Sequence, residues 1–289
     1  MARASSTKSK ASTTKSRASK PIDIVYVGPT LAAAEVRALL PDADVRGPVA
    51  VGDVLRILGE HAARRVRIGR IAIIDGYFER MAAVWHKEIL LAIEAGIEVW
   101  GAASMGALRA AELAPFGMRG IGTIYERFAS GELVADDEVA VAHLPAEYGY
   151  RCTSVALVDL REGIEQVMAT LATDSVVATD SALAKERERL IELARAPFYR
   201  ERSWERLIAD AQAGGISKTT IEALQARGLS TTTSRDVLPS RKAADARLLL
   251  ETMARTAKRP SLAKPTRTTA KFRVPRTWAL AQLRAFLGR

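Results

Sequence analysis

From residue 22 onward, short apolar runs alternate with segments of helical spacing. Residues 22–27 (IDIVYV) form a β-branched run ending in Gly28-Pro29-Thr30, which predicts a buried strand and then a turn. Residues 31–40 are spaced as a helix, with Thr30 placed to cap it and Pro41 to stop it. A weaker strand near Val45 and a helix over about 53–60 follow. Residues 71–74 predict a second buried strand, closed by Asp75-Gly76. The next helix, about 82–95, carries Trp85, Ile89 and Ile93 along one face and ends at Gly96. Residues 98–102 predict another strand, and 104–113 a helix before Pro115.

This rhythm predicts an α/β fold built from βαβ units. The expected architecture is Rossmann-like: a largely parallel sheet with helices on both faces and right-handed crossovers. After about residue 150 the strand signals fade, and 157–171, 182–194, 204–211 and 241–254 are spaced as helices. The expected division is a basic tail over 1–20, an α/β core over 21–155, a helical extension over 156–254 and a second basic tail over 255–289. Within the last, 278–287 has the spacing of a short amphipathic helix that docks on a neighbour.

Charge sharpens this division. The net charge of +10 over 289 residues is misleading as a mean. Residues 1–20 hold six Lys or Arg and no acid, and 254–289 hold ten and no acid, which leaves 21–253 with a net of −6. Ser, Thr, Ala, Lys and Arg dominate 1–20, so ordering that segment gains no apolar burial and disorder is expected. Basic tails attract nucleic acid, anionic lipid or an acidic partner. No aromatic interleaving or zinc spacing accompanies them, so nucleic-acid binding is not expected of the body. The single cysteine, Cys152, excludes an internal disulfide and a multi-cysteine zinc site. With no apolar h-region near the start and no run long enough to span a bilayer, the expected compartment is the cytoplasm.

Ligands of an open parallel sheet bind beyond the carboxyl ends of its strands. Three segments are expected to converge there: Gly28-Pro29-Thr30, Asp75-Gly76-Tyr77 and Ala103-Ser104-Met105-Gly106. Ser104 has the small-x-Ser-x-small setting of a nucleophile elbow, with Ala102 in place of the first glycine. It is equally suited to capping its own helix. A serine nucleophile needs a base. Of the three histidines, His61, His86 and His143, His86 lies in the helix after Asp75, and Lys87 is a second candidate; a solvated helix face accounts for both as well. Asp75, at the end of an apolar strand, is placed to orient such a base, or to cap its own turn. Arg109 and Glu112 are spaced as a surface ion pair, and Arg109 doubles as an anion clamp if it faces the cleft. The acidic run Asp136-Asp137-Glu138 is a solvated turn, an acidic helix start or a Mg²⁺ site, and Cys152 a structural thiol or a persulfide carrier. Neither a Walker loop nor GxGxxG is present.

The blocks 28–31, 74–78, 84–89, 101–113 and 136–141, with the stretch into Gly149-Tyr150-Arg151, together resemble the core of the TfuA-like family over roughly residues 23–160. That resemblance implies a partner of YcaO-type enzymes, which use ATP to activate a backbone amide oxygen. TfuA-like proteins accompany those YcaO enzymes that install sulfur to give peptide thioamides. The implied role is to receive a thiocarboxylated ThiS-like carrier protein and to release sulfide beside YcaO; no cofactor or resident metal is implied. On that expectation Ser104 is the nucleophile or positions water, His86 or Lys87 is the base, and Asp75 is the orienter. The N–H groups near Met105 and Gly106 form the oxyanion hole, and Gly28, Pro29, Thr30, Gly76, Tyr77, Arg109 and Glu112 contact the substrate. The competing expectation is an adaptor that docks to YcaO and stimulates it allosterically without chemistry of its own.

Overall fold

The computed structural model describes residues 21–63, 65–79, 81–173, 180–228, 240–257 and 277–286. The disorder expected of 1–20, and residues 258–276 of the second basic segment, lie outside them.

Five strands, β1 (Ile22–Tyr26), β2 (Asp44–Arg46), β3 (Ile68–Ile73), β4 (Glu98–Ala102) and β5 (Arg119–Ile121), form one sheet in the order β2-β1-β3-β4-β5. Every pairing is parallel. This is the doubly wound order, whose switch point lies between β1 and β3. Alternation along each strand divides the side chains between two layers. Ile24, Tyr26, Ile71, Ile73 and Val99 face one way, into a cluster with α2 (Asp53–Ala62), α3 (His86–Glu94), α4 (Met105–Leu113) and α5 (Thr123–Ala129). Val25, Val27, Ala72, Ile74, Trp100 and Ala102 face the other way, against α1 (Ala33–Leu39) and α10 (Arg241–Ala257).

The expected helical extension is thus two things. Helices α6 (Leu157–Thr173), α7 (Asp180–Arg195), α8 (Trp204–Ala213) and α9 (Lys218–Gly228) bury Leu160, Ile164, Leu190, Trp204 and Leu224 among themselves. Helix α10 instead supplies Ala246, Leu249, Leu250 and Met253 to the sheet. The basic end is not wholly a tail. Helix α11 (Trp278–Phe286) docks Leu280 into the core beside α3, and Arg284 pairs with Glu94 at 2.8 and 2.6 Å.

Several boundaries moved for identifiable reasons. Thr30 does not cap α1, whose N-cap is Ala32, because its hydroxyl and N–H go to Asp75. Helix α3 starts at His86 rather than near residue 82. The buried Glu88 accepts from Trp85 N–H at that point and from Gly52 and Leu55 N–H at the start of α2. Burial raises the Glu88 pKa against these backbone donors. No helix among the described residues is long and apolar enough to cross a membrane.

Candidate functional site

The turn that carries Ser104 is built by close packing. A Cβ at Gly106 would collide with the Ile73 carbonyl, and one at Gly101 with the Gly106 carbonyl. These two glycines let α4 start directly against β3 and β4. The chain reverses through Ala103, a non-glycine residue at φ 68° with no exposed surface. Such a conformation costs about 1 kcal/mol and persists where packing dictates it. Ser104 is 8% exposed and stands at the N-cap of α4, but its side chain makes no capping bond. Its Oγ lies 3.5 Å from the Val139 carbonyl, long for a hydroxyl bond, so the hydroxyl is held loosely.

A cavity of about 150 Å³ opens at this edge, lined by Ser104, Met105, Asp75, Gly76, Tyr77 and Pro29. The remaining wall comes from 139–144, Asp136, Thr153, Tyr199 and Arg200. All three loops expected at the sheet edge therefore reach one cavity, at the switch point between β1 and β3. Its volume suits roughly ten water-sized groups, a narrow tail rather than a nucleotide.

Asp75, 1% exposed, is fully engaged. Its carboxylate accepts from Gly28 N–H at 2.8 Å, Thr30 N–H at 3.0 Å and the Thr30 hydroxyl at 2.6 Å. It clamps the loop after β1 to the end of β3 and does not touch a histidine. Gly28 and Thr30 serve that clamp, while Pro29 from the same loop meets the cavity.

His86 and Lys87, the expected bases, do not line the cavity. His86 pairs with Glu112 at 2.7 Å, and Arg109 binds the same Glu112 oxygen at 2.7 Å and the Val84 carbonyl at 3.3 Å. Burial alone would raise the Glu112 pKa, but the bonds and charges of His86 and Arg109 outweigh it and lower it. Arg109 and Glu112 thus form a network with His86 away from the cavity and do not act as a clamp within it. The imidazole on the cavity wall is instead His143. Its Nδ1 lies 2.8 Å from the Leu144 carbonyl, and its ring sits 6.1 Å from Tyr77 and 5.7 Å from Tyr150. Burial, with the Tyr77 hydroxyl beside it, raises the Tyr150 pKa. Of the expected oxyanion donors, Gly106 N–H is taken by the Ile74 carbonyl at 3.2 Å. Met105 N–H, the first of α4, has no acceptor among the described bonds and remains suited to an anion.

The acidic run forms a short 3-10 turn, Asp136–Glu138, as the helix-start reading had it, with its last two acids paired to arginines. Glu138, 2% exposed, receives both Nε and Nη2 of buried Arg161, at 2.9 and 2.8 Å. Asp137 binds the buried Arg202 through its carboxylate at 2.6 Å and its carbonyl at 2.8 Å. Among the described residues no cluster of three or more His, Cys, Asp or Glu could hold a metal. These pairs instead fix the segment 139–141 against the cavity. Cys152 is exposed, with its Sγ 3.9 Å from the Pro29 carbonyl.

One buried group had no signal in the spacing. Lys242 of α10 is 3% exposed, and its Nζ donates to the Val139 carbonyl at 2.9 Å, the oxygen that Ser104 also approaches. In sequence it is one cation of an Arg-Lys pair at a helix start, indistinguishable from a solvated one.

No curated protein matches the chain. Residues 75–203, which supply the cavity walls from Asp75 to Arg200 and the arginines that anchor the acidic run, match the family described as TfuA-like protein, so this stretch is similar to that family.

Proposed function

We propose that this chain works beside a YcaO-type enzyme in peptide backbone thioamidation, releasing or delivering sulfide from a thiocarboxylated ThiS-like carrier protein. The observation that carries this reading is the Ser104 hydroxyl. It stands on the wall of a narrow cavity at the strand-to-helix turn, uncommitted to its own helix. Attack on a thiocarboxylate carbonyl needs such a hydroxyl and a donor for the oxyanion, for which Met105 N–H is placed. Arg200 on the same wall offers a cation to an approaching thiocarboxylate. Replacing Ser104 with Ala is expected to lower sulfide release from a thiocarboxylated carrier at least about 100-fold. Thermal stability should be retained. Unchanged release would remove Ser104 from the mechanism.

A second reading, a non-catalytic adaptor that docks to YcaO, is favoured by exposed apolar side chains near this rim. Val51, Met81 and Trp85 are 36%, 51% and 52% exposed around the starts of α2 and α3. Release by the chain alone argues for the enzyme, and strict dependence on YcaO for the adaptor.

A further inference from the structure

Ser104 and Lys242 come from opposite ends of the fold, yet both address one oxygen. The Val139 carbonyl accepts from Lys242 Nζ at 2.9 Å and lies 3.5 Å from Ser104 Oγ. Its position is not accidental, because Asp137 and Glu138 immediately before it are pinned by Arg202 and Arg161. Lys242 is nearly inaccessible, and a buried amine without an ion-pair partner is retained at a cost unless it does something. None of the described ion pairs includes it. Asp159 of α6, the acid nearest in effect, accepts from the Lys242 backbone N–H at 3.3 Å and from the Ser240 hydroxyl at 3.0 Å, fixing the start of α10. Burial raises the Asp159 pKa, and the Lys242 charge opposes that rise.

Lys242 does not itself line the cavity, but it is the base that shares a bonded oxygen with Ser104. His86 is bound to Glu112 outside the cavity, and the His143 Nδ1 is directed at the Leu144 carbonyl beside it. We infer that Lys242 is the base that activates Ser104, the two forming a Ser–Lys pair across the Val139 carbonyl. Lys242 lies beyond the stretch 75–203 that matches the family, so the pair joins that stretch to a helix outside it.

The chemistry balances without a further reactant than water. In the step inferred, Ser104 turns from the Val139 carbonyl toward Lys242 Nζ, and the amine, once it has given up its own proton to solvent, takes the hydroxyl proton. Oγ then forms a bond to the thiocarboxylate carbon, the C–S bond breaks, and sulfur leaves as hydrosulfide with the proton returned from Nζ. Water hydrolyses the resulting serine ester to the carboxylate and free Ser104, with release of one proton. This pair rests on the reading of Ser104 as nucleophile, but its test needs no carrier protein.

A fluorophosphonate probe applied to the full chain should esterify Ser104, located by peptide mass, and should not label the Ser104→Ala chain. Lys242→Arg retains a cation and a donor in the same space, and Lys242→Met retains the stem. Both are expected to label at least about 100-fold more slowly, the contribution of a positioned base. Thermal unfolding identifies a variant that fails to fold, and Lys242→Arg then carries the result alone. Wild-type labelling rates in Lys242→Arg, absence of Ser104 labelling in the wild type, or labelling lost in His143→Asn but kept in Lys242→Arg would each overturn the pair. Labelling as expected with an untouched thiocarboxylated carrier leaves the pair standing and removes the carrier reading.

Discussion

Glu112 is where a side chain expected to serve the substrate serves the scaffold instead. His86 from the start of α3 and Arg109 from α4 both donate to it, and they hold its carboxyl below the ordinary value of 4.5 despite burial. A carboxylate with a depressed folded pKa stabilises the fold above its unfolded pKa, and that contribution disappears as pH falls through the lower folded value. The stability difference between wild type and Glu112→Gln is therefore expected to shrink as pH falls below the ordinary glutamate range. Thermal unfolding at a series of pH values measures it. At this scale the sequence was informative about Ser104 and Asp75 as positions but not about their partners. A strand-to-helix turn of small residues is a local pattern, so Ser104 could be placed. That Asp75 closes onto Thr30 while His86 reaches Glu112 depends on which helix lies beside which. No spacing within one segment encodes that.

At the scale of elements, α4 owes its place to two residues that carry no side chain. Because a Cβ at Gly106 meets the Ile73 backbone rather than a flexible side chain, nothing nearby can yield cheaply. Gly106→Ala is expected to cost roughly 3 kcal/mol or more in urea unfolding, and Ser104→Ala, on the same turn, almost nothing. Strands β1, β3 and β4 were legible because each is a run of β-branched or apolar residues ending at a turn signal. β5 was not: Arg119–Ile121 is three residues long, with Gly117, Gly120 and Gly122 in and around it. α9 was missed because β-branched Thr219 and Thr220 open it and its larger apolar residues, Ile221 and Leu224, span only one turn. α10 was seen as a helix but not as part of the sheet layer, since an amphipathic face does not name the surface it will cover.

Across the whole molecule, the helical cluster and the sheet are joined through the acidic run. Glu138 belongs to the loop that walls the cavity, while Arg161 belongs to α6. Removing one partner of such a buried pair strands the other charge. Glu138→Ala is accordingly expected to cost about 3–5 kcal/mol, while the double replacement of Glu138 and Arg161 by Leu recovers most of that loss. Urea unfolding of the two single variants and the double variant measures this coupling. The α/β class and the convergence of three loops at one rim could be read ahead of the structure, because the period of the apolar pattern and the strand ends are local. The strand order, and the joining of the acidic run to Arg161 and Arg202, are properties of chain crossings over many tens of residues.

Helix α10 has a consequence for how the protein is made. Leucines 249 and 250 and Met253 are the cover for Val25, Ile74 and Ala102, strands synthesised long before them. Until about residue 257 has left the ribosome, that side of the sheet has only α1 as cover, and much of it stays bare and greasy. A chain that stops short of α10 would leave that apolar face open to water and to other chains.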